Sequence, residues 1–238
     1  MKEDEIIKYN YRLVFEDGNE IVINLKIDSG SLTFILDEEI EKPDWTKHEY
    51  FCCPDSSCKT IHSTYCPLAL NINKFIKIFS NIPSYEQITA YVETNNRTYT
   101  KKTSLQEAFG SLLGIIMPTS GCPTLGKLKP MVRFHLPFAS IEETEYRVFS
   151  MYLIAQYLRN KNGKPTDWEM NDLKKLYDEI QVINRNIAKK IADLEKMDTS
   201  INSVIVLNNF ADAVTFTLEE NLIRFEKLFS NWLKDSED

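Results

Sequence analysis

The sequence contains no apolar run of ~18 residues, the length a helix needs to cross a bilayer, so no membrane-spanning helix is expected. Its start, MKEDEIIKYN, is too charged and too short of apolar residues for a secretory signal, and the cytoplasm is the expected compartment. There is no low-complexity stretch, and no internal repeat of ~20–50 residues that would mark a solenoid. Gly-x-Ser-x-Gly, His-Glu-x-x-His and paired-carboxylate patterns are absent, which removes the common hydrolase signatures. Basic residues are outnumbered, 28 against 35, and the net charge of −7 argues against broad nucleic-acid binding. What remains is an ordinary globular composition, 43% apolar and 26% charged.

Charge is unevenly distributed. Residues 1–42 hold 5 Lys/Arg and 11 Asp/Glu. Arg97, Lys101, Lys102, Lys127, Lys129 and Arg133 face only Glu107 over residues 97–133. Such a stretch can be an anion-binding face. The commoner arrangement is a solvated surface that pairs with the acidic N-terminal part.

The first third reads as strands. Tyr11, Leu13 and Phe15 alternate with Arg12, Val14 and Glu16, and Ile21, Ile23 and Leu25 alternate with Val22, Asn24 and Lys26 after Asp17-Gly18. Asp-Gly between alternating runs predicts a hairpin with a two-residue turn. Ser31–Leu36 is a third expected strand. Ile88–Thr94 and Arg97–Lys101, joined by Asn95-Asn96, form a second expected hairpin. Pro67 opens a helix whose Leu68, Ile72, Phe75, Ile76 and Phe79 share one face. Ser104–Glu107 has the form of a capping box for a helix that Pro118 should stop. Gly110 and Gly114 in that helix suggest close approach of another backbone.

From about residue 139 the pattern is helical. Ser140–Glu143 is a second capping box, opening a helix apolar enough in its middle to be central and buried. Thr166–Glu169 is a third, starting a helix with Leu173, Leu176, Ile180, Ile183, Ile187 and Ile191 at three-four spacing. Val204 to Trp232 keeps a similar spacing. The expected fold is therefore α+β. A small antiparallel sheet with packed helices occupies 1–138, and a helical bundle with a long antiparallel hairpin occupies 139–238. The apolar stripe on that hairpin is wide, which points to a protein partner or a homodimer through the C-terminal helices.

Four of the five cysteines lie within fifteen residues, in FCCPDSSCKTIHSTYCPLAL, inside the aperiodic segment 41–66. Loops of that length are functional or are held by something other than a core. A disulfide framework does not suit a cytosolic chain. Thiolate and imidazole are ligands Zn²⁺ prefers, and a structural zinc site is the expectation. Cys53, Cys58, Cys66 and Cys122 are the expected ligands. His62 in place of Cys122 gives a loop-only set, Cys52 can replace Cys53, and His48 is a further alternate. Cys66 and Cys122 each precede a proline that can open a helix. The free amides of a helix N-terminus favour a thiolate, and so favour ligation. The Cys-Pro dipeptides also occur in iron–sulfur sites, although no compact C-x2-C-x2-C run is present.

The segments CPLAL (66–70), MPTSGCP (117–123) and RFHLPFAS (133–140) resemble a family of uncharacterised bacterial proteins with a cysteine-rich loop before a CPLA-type helix. The resemblance implies that Cys66 and Cys122 belong to one site. It brings no activity with it.

Two other segments have chemical content. Gly121–Leu128 approximates a phosphate-binding loop, yet Leu128 stands where a hydroxyl must ligate Mg²⁺ and Pro130 interrupts the following helix. Arg133 and His135 flank Phe134 in a run read as extended, on one side of the chain. The sequence therefore reads as a non-enzymatic protein with structural zinc, acting through partner binding or self-association. The alternative is a cysteine redox sensor, an iron–sulfur protein, or an enzyme using a thiolate at a helix N-terminus.

Overall fold

The computed structural model describes residues 5–35, 41–51, 53–54, 58, 64–79, 82–194, 202 and 218–234. Five antiparallel strands form one sheet: β1 (Ile6–Phe15), β2 (Glu20–Asp28), β3 (Phe34–Ile35), β4 (Gln87–Thr94) and β5 (Thr98–Ser104), in the order β3-β2-β1-β4-β5. Register follows the apolar alternation. Tyr9 faces Leu25 and Tyr11 faces Ile23 on one side of β1, while Tyr11 faces Val92 and Leu13 faces Ala90 on the other. All of these are buried. A one-residue slip would turn each of them to the opposite face, so burial fixes the pairing.

Both hairpins form. In the first, Phe15 N–H donates to Asn19 O and Gly18 N–H to Phe15 O, with Gly18 at φ 87°. That is a three-residue loop closed by a left-handed glycine, not the two-residue turn expected from Asp-Gly. The Asp17 carboxylate accepts from the Asn19 amide, which holds the wider loop. Among the described residues the third strand pairs with β2 at Phe34 and Ile35, so it begins later than the expected Ser31; Leu36, its expected end, lies outside the described residues.

Helices α1 (Pro67–Ile76) and α2 (Leu105–Thr119) pack on each other, and α2 follows directly from β5. The expected face of α1 is buried, from Leu68 to Phe79 just beyond its end. The Phe79 and Phe109 rings lie 4.2 Å apart, centroid to centroid. Two expectations about α2 change. Ser104 makes no side-chain cap; instead the Thr103 hydroxyl donates to the Glu107 carboxylate. Nor does Pro118 stop the helix. Thr119 Oγ1 donates to Ile115 O at 2.7 Å and Ser120 Oγ to Met117 O at 2.7 Å, so side-chain hydroxyls satisfy last-turn carbonyls and the helix reaches Thr119.

Two short helices follow, α3 (Pro123–Gly126) and α4 (Lys129–Arg133). The run read as extended around Arg133 is thus helical up to that residue, since Pro130 sits at the first turn where its missing N–H costs nothing. The Ser140–Glu143 capping box forms in full and opens α5 (Ile141–Lys161). Helix α6 (Asn171–Ala192) starts five residues beyond Thr166. Asp167, not Thr166, does the capping: its carboxylate accepts from the Asp172 amide at 2.7 Å and from the Tyr152 hydroxyl at 2.7 Å.

Helix α5 is less buried than its sequence implies. Val148, Phe149 and Tyr152 are covered, whereas Leu153, Ile154, Tyr157 and Leu158 are exposed. Its sheltered side receives the C-terminal helix α7 (Leu218–Leu228) through edge contacts of Phe225 with Tyr146 and Phe149, and through Arg224 to Glu145 at 2.8 Å. Short α8 (Ser230–Leu233) follows. Most of the expected second arm of the helical hairpin, residues 203–217, lies outside the described residues. Buried side chains from Tyr9 to Phe225 belong to one cluster, with the sheet, α1 and α2 at its centre. Among the described residues, no helix is long and apolar enough to cross a membrane.

Candidate functional site: a cysteine cluster and an apolar cavity

The aperiodic segment is pinned at both ends. Thr46 O accepts from the Cys66 amide at 2.8 Å, His48 N–H donates to Thr64 O at 3.0 Å, and Lys47 bridges to Tyr65. These bonds bring the end of the segment back against its start and deliver Cys66 to the first turn of α1. Cys66 is the N-cap residue there, and Cys122 holds the same position in α3, each followed by proline. The Asn71 side-chain amide donates to Pro67 O at 2.8 Å and to Ser120 O at 3.2 Å, tying the two helix starts together.

Cys53, Cys58, Cys66 and Cys122 are all free thiols, and all but Cys53 are buried. Burial pushes the Cys66 thiol up to about 12, with negative charge on Cys53 and on Cys122 adding to the shift. The Ala69 and Leu68 amides act on the sulfur in the opposite direction, without a cap hydrogen bond of ordinary geometry. The amides of the helix start thus favour the thiolate at Cys66, as expected, and desolvation acts against them. Cys53 and Cys122 lie near enough to Cys66 for charge on either to act on it. Among the described residues, however, no three Cys, His, Asp or Glu side chains converge closely enough to hold a metal ion. His48 is buried in the 3-10 turn His48–Tyr50. Cys52 and His62 lie outside the described residues.

A second feature was not legible in the cysteine pattern. A cavity of about 460 Å³ lies between α2, the α3–α4 region, the 134–140 connection, α5 and α6. Its walls are largely aliphatic, with Leu113, Met117, Leu125, Leu128, Met131 and Ile180 among them. Gly110 and Gly114 also line it. The expected close approach of another backbone is replaced at Gly114 by the His135 ring, whose Cε1 would lie 3.5 Å from an added Cβ.

Arg133 and His135 do not share a side. Arg133 is exposed and donates to Ser29 O at 3.0 Å, beside Lys129, which reaches Ser31 O at 2.9 Å. Those two members of the basic stretch close the β2–β3 turn instead of facing an anion. His135 turns inward, edge-on to Tyr9 and 3.3 Å from the Tyr11 hydroxyl, which also meets Ser111 Oγ at 3.1 Å. Burial pulls the His135 imidazole down to about 3, with the Arg147 charge adding to the effect, so the ring is neutral near pH 7. Burial raises Tyr9 to about 12 and raises Tyr11 as well. The network is uncharged and holds the cavity wall in place.

Arg147 lines the same cavity from α5. It donates to Met131 O and to Phe134 O, both at 2.9 Å. From α6 come Tyr177 and Asn184, seven residues apart on one helix face. Sequence reasoning passed over all three. The available signal was a tyrosine and an asparagine inside the apolar stripe of α6, where a polar side chain needs a reason to be buried.

The chain matches the family described as Domain of unknown function (DUF6901) over residues 7–230, and it belongs to that family. No curated protein and no solved structure matches it. The matched span includes both the cysteine cluster and every cavity residue named above.

Proposed function

We propose that this is a non-enzymatic cytoplasmic protein in which Zn²⁺, held by Cys53, Cys66, Cys122 and Cys58, clasps the 41–66 segment onto the α1 and α3 helix starts. The observation that carries the reading is the grouping of Cys53 and Cys122 around the buried Cys66. Without a cation, negative charge on Cys53 or Cys122 raises the Cys66 thiol. A divalent ion reverses that sign, and the amides at the helix start then add to ligand binding. Metal binding has to draw the thiols closer than they stand, and such coupling of ligation to local folding is usual for structural zinc.

Elemental analysis of the purified chain tests the reading. One equivalent of zinc is expected, with loss on Cys66→Ser and on Cys122→Ser. Metal-free protein whose thermal unfolding is unchanged by added Zn²⁺ refutes it. Retention of zinc by Cys122→Ser and its loss on His62→Ala would replace this ligand set with the loop-only one.

A second copy of the chain is the proposed partner. Ile223, Leu228, Phe229, Trp232 and Leu233 are exposed on α7 and α8, with Trp232 85% exposed. Apolar surface of this kind is usually covered in an assembly. Sedimentation velocity at micromolar concentration should give a dimer that Trp232→Ser weakens. A concentration-independent monomer refutes this part.

A further inference from the structure

We infer that the cavity between α2, α5 and α6 is a binding site for an apolar monocarboxylate, with Arg147, Tyr177 and Asn184 receiving the carboxylate and the aliphatic wall receiving the body. Small-molecule sites typically enclose ~300–1,000 Å³, mostly apolar, with a few placed polar groups. The volume of about 460 Å³ falls in that range. Leu113, Met117, Leu125, Leu128, Met131 and Ile180 supply an aliphatic lining from several elements. Two methionines give it the adaptability that suits a flexible hydrocarbon body.

The polar groups set the sign of the ligand's charge. Arg147 is half-buried, and among the described residues no carboxylate lies within ion-pair distance of it. Its two hydrogen bonds to the Met131 and Phe134 carbonyls both come from one terminal nitrogen, leaving the rest of the guanidinium for another acceptor. The other charges at the cavity are already engaged. Lys101 and Glu107 pair with each other at 3.7 Å, and the Glu143 carboxylate accepts the Ser140 amide at 2.7 Å in the capping box. His135 is neutral. Glu143 keeps its charge and acts on Arg147 from a distance; what a ligand can still supply is a direct acceptor for the guanidinium, which no carboxylate among the described residues gives.

Asn184 adds an independent observation. It is 2% exposed, lines the cavity, and its Oδ1 has no hydrogen-bond partner among the described residues. A buried amide oxygen left in this state is costly, and native cores seldom keep one without a use. With no bond to fix its orientation, the amide can present its NH₂ to an acceptor. Tyr177, two turns earlier on the same helix, lines the cavity near enough to Arg147 for the guanidinium charge to act on its phenol. Its hydroxyl is a third donor. Three donors beside an apolar chamber match a carboxylate joined to a hydrocarbon, and match neither a sugar nor a nucleotide.

Calorimetry with decanoate and decanol, which differ in the charged head, tests the inference on the whole protein. Decanoate should bind, and decanol at least tenfold more weakly. Gly114→Leu should abolish both, because a side chain there enters the cavity from a helical position whose nearest neighbour leaves ordinary contact distance. Arg147→Gln should remove the preference for decanoate while leaving decanol unchanged. Arg147 also holds two backbone carbonyls, so circular dichroism accompanies that variant. If it fails to fold, the wild-type comparison and Gly114→Leu still decide. Equal binding of decanoate and decanol, undiminished decanoate binding by folded Gly114→Leu, or no binding of either at millimolar concentration would each overturn the proposal. The zinc measurements above are unaffected by any of these outcomes.

Discussion

Acid should destabilise the protein through one histidine before its carboxylates begin to titrate. His135 is held neutral by burial against Tyr9, Tyr11, Ser111 and the edge of Gly114, with its affinity for a proton reduced from the ordinary 6.5 to about 3. The unfolded chain binds that proton near pH 6.5, and the folded chain does not until near pH 3. In that window the unfolded state holds more protons, so stability falls as pH falls. Between pH 7 and pH 5 the two titration curves diverge by about 2 kcal/mol. Solvent reaching the ring from the cavity trims the figure to about 1–2 kcal/mol. The measurement is urea unfolding at pH 7, 6 and 5 for the wild type and for His135→Gln. The wild type should lose ~1–2 kcal/mol more than the variant over this range. The m-value should stay constant, because only one ionisation is being read. Parallel decline of the two proteins would refute the reasoning and place water, not packed side chains, around the imidazole.

Other perturbations read other parts of the structure. Ser140→Ala removes the capping box of α5 and should cost about 1 kcal/mol in the same unfolding assay. Ser104→Ala should cost almost nothing by comparison, because Ser104 makes no side-chain cap despite the same motif. Leu13→Ala, at a fully buried sheet position paired with Ile21 and Ala90, should cost about 3 kcal/mol by thermal or urea unfolding. Arg224→Ala removes a charged partner of the Glu145 carboxylate, 2% exposed in its side chain, and should cost about 1–3 kcal/mol, with part of it recovered when Glu145→Gln is added.

The sequence by itself determined the order and type of most elements, because those follow from local physics. Alternation of Tyr9, Tyr11 and Leu13 with Lys8, Asn10 and Arg12 already specifies a half-buried strand, and Pro67 before Leu68, Ile72 and Phe75 already specifies where α1 begins and which face it buries. The thiols were legible for the same reason, since Cys-Pro at a helix start is a local pattern. Tertiary structure decided what local pattern leaves open. Ser104–Glu107 and Ser140–Glu143 look alike in sequence, yet only the second closes as a capping box, because in the first Thr103 engages Glu107 from the strand side. Pro118 fails to end α2 because two hydroxyls that follow it turn back onto the helix carbonyls. The direction of the N-terminal effect at Cys66 was legible, whereas the burial that opposes it comes from packing that no spacing reveals. Above all, the cavity exists only where α2, α5 and α6 come together around Gly110 and Gly114. Arg147 on α5 and the Tyr177–Asn184 pair on α6 belong to separate helix patterns, and long-range packing alone turns them toward one cavity.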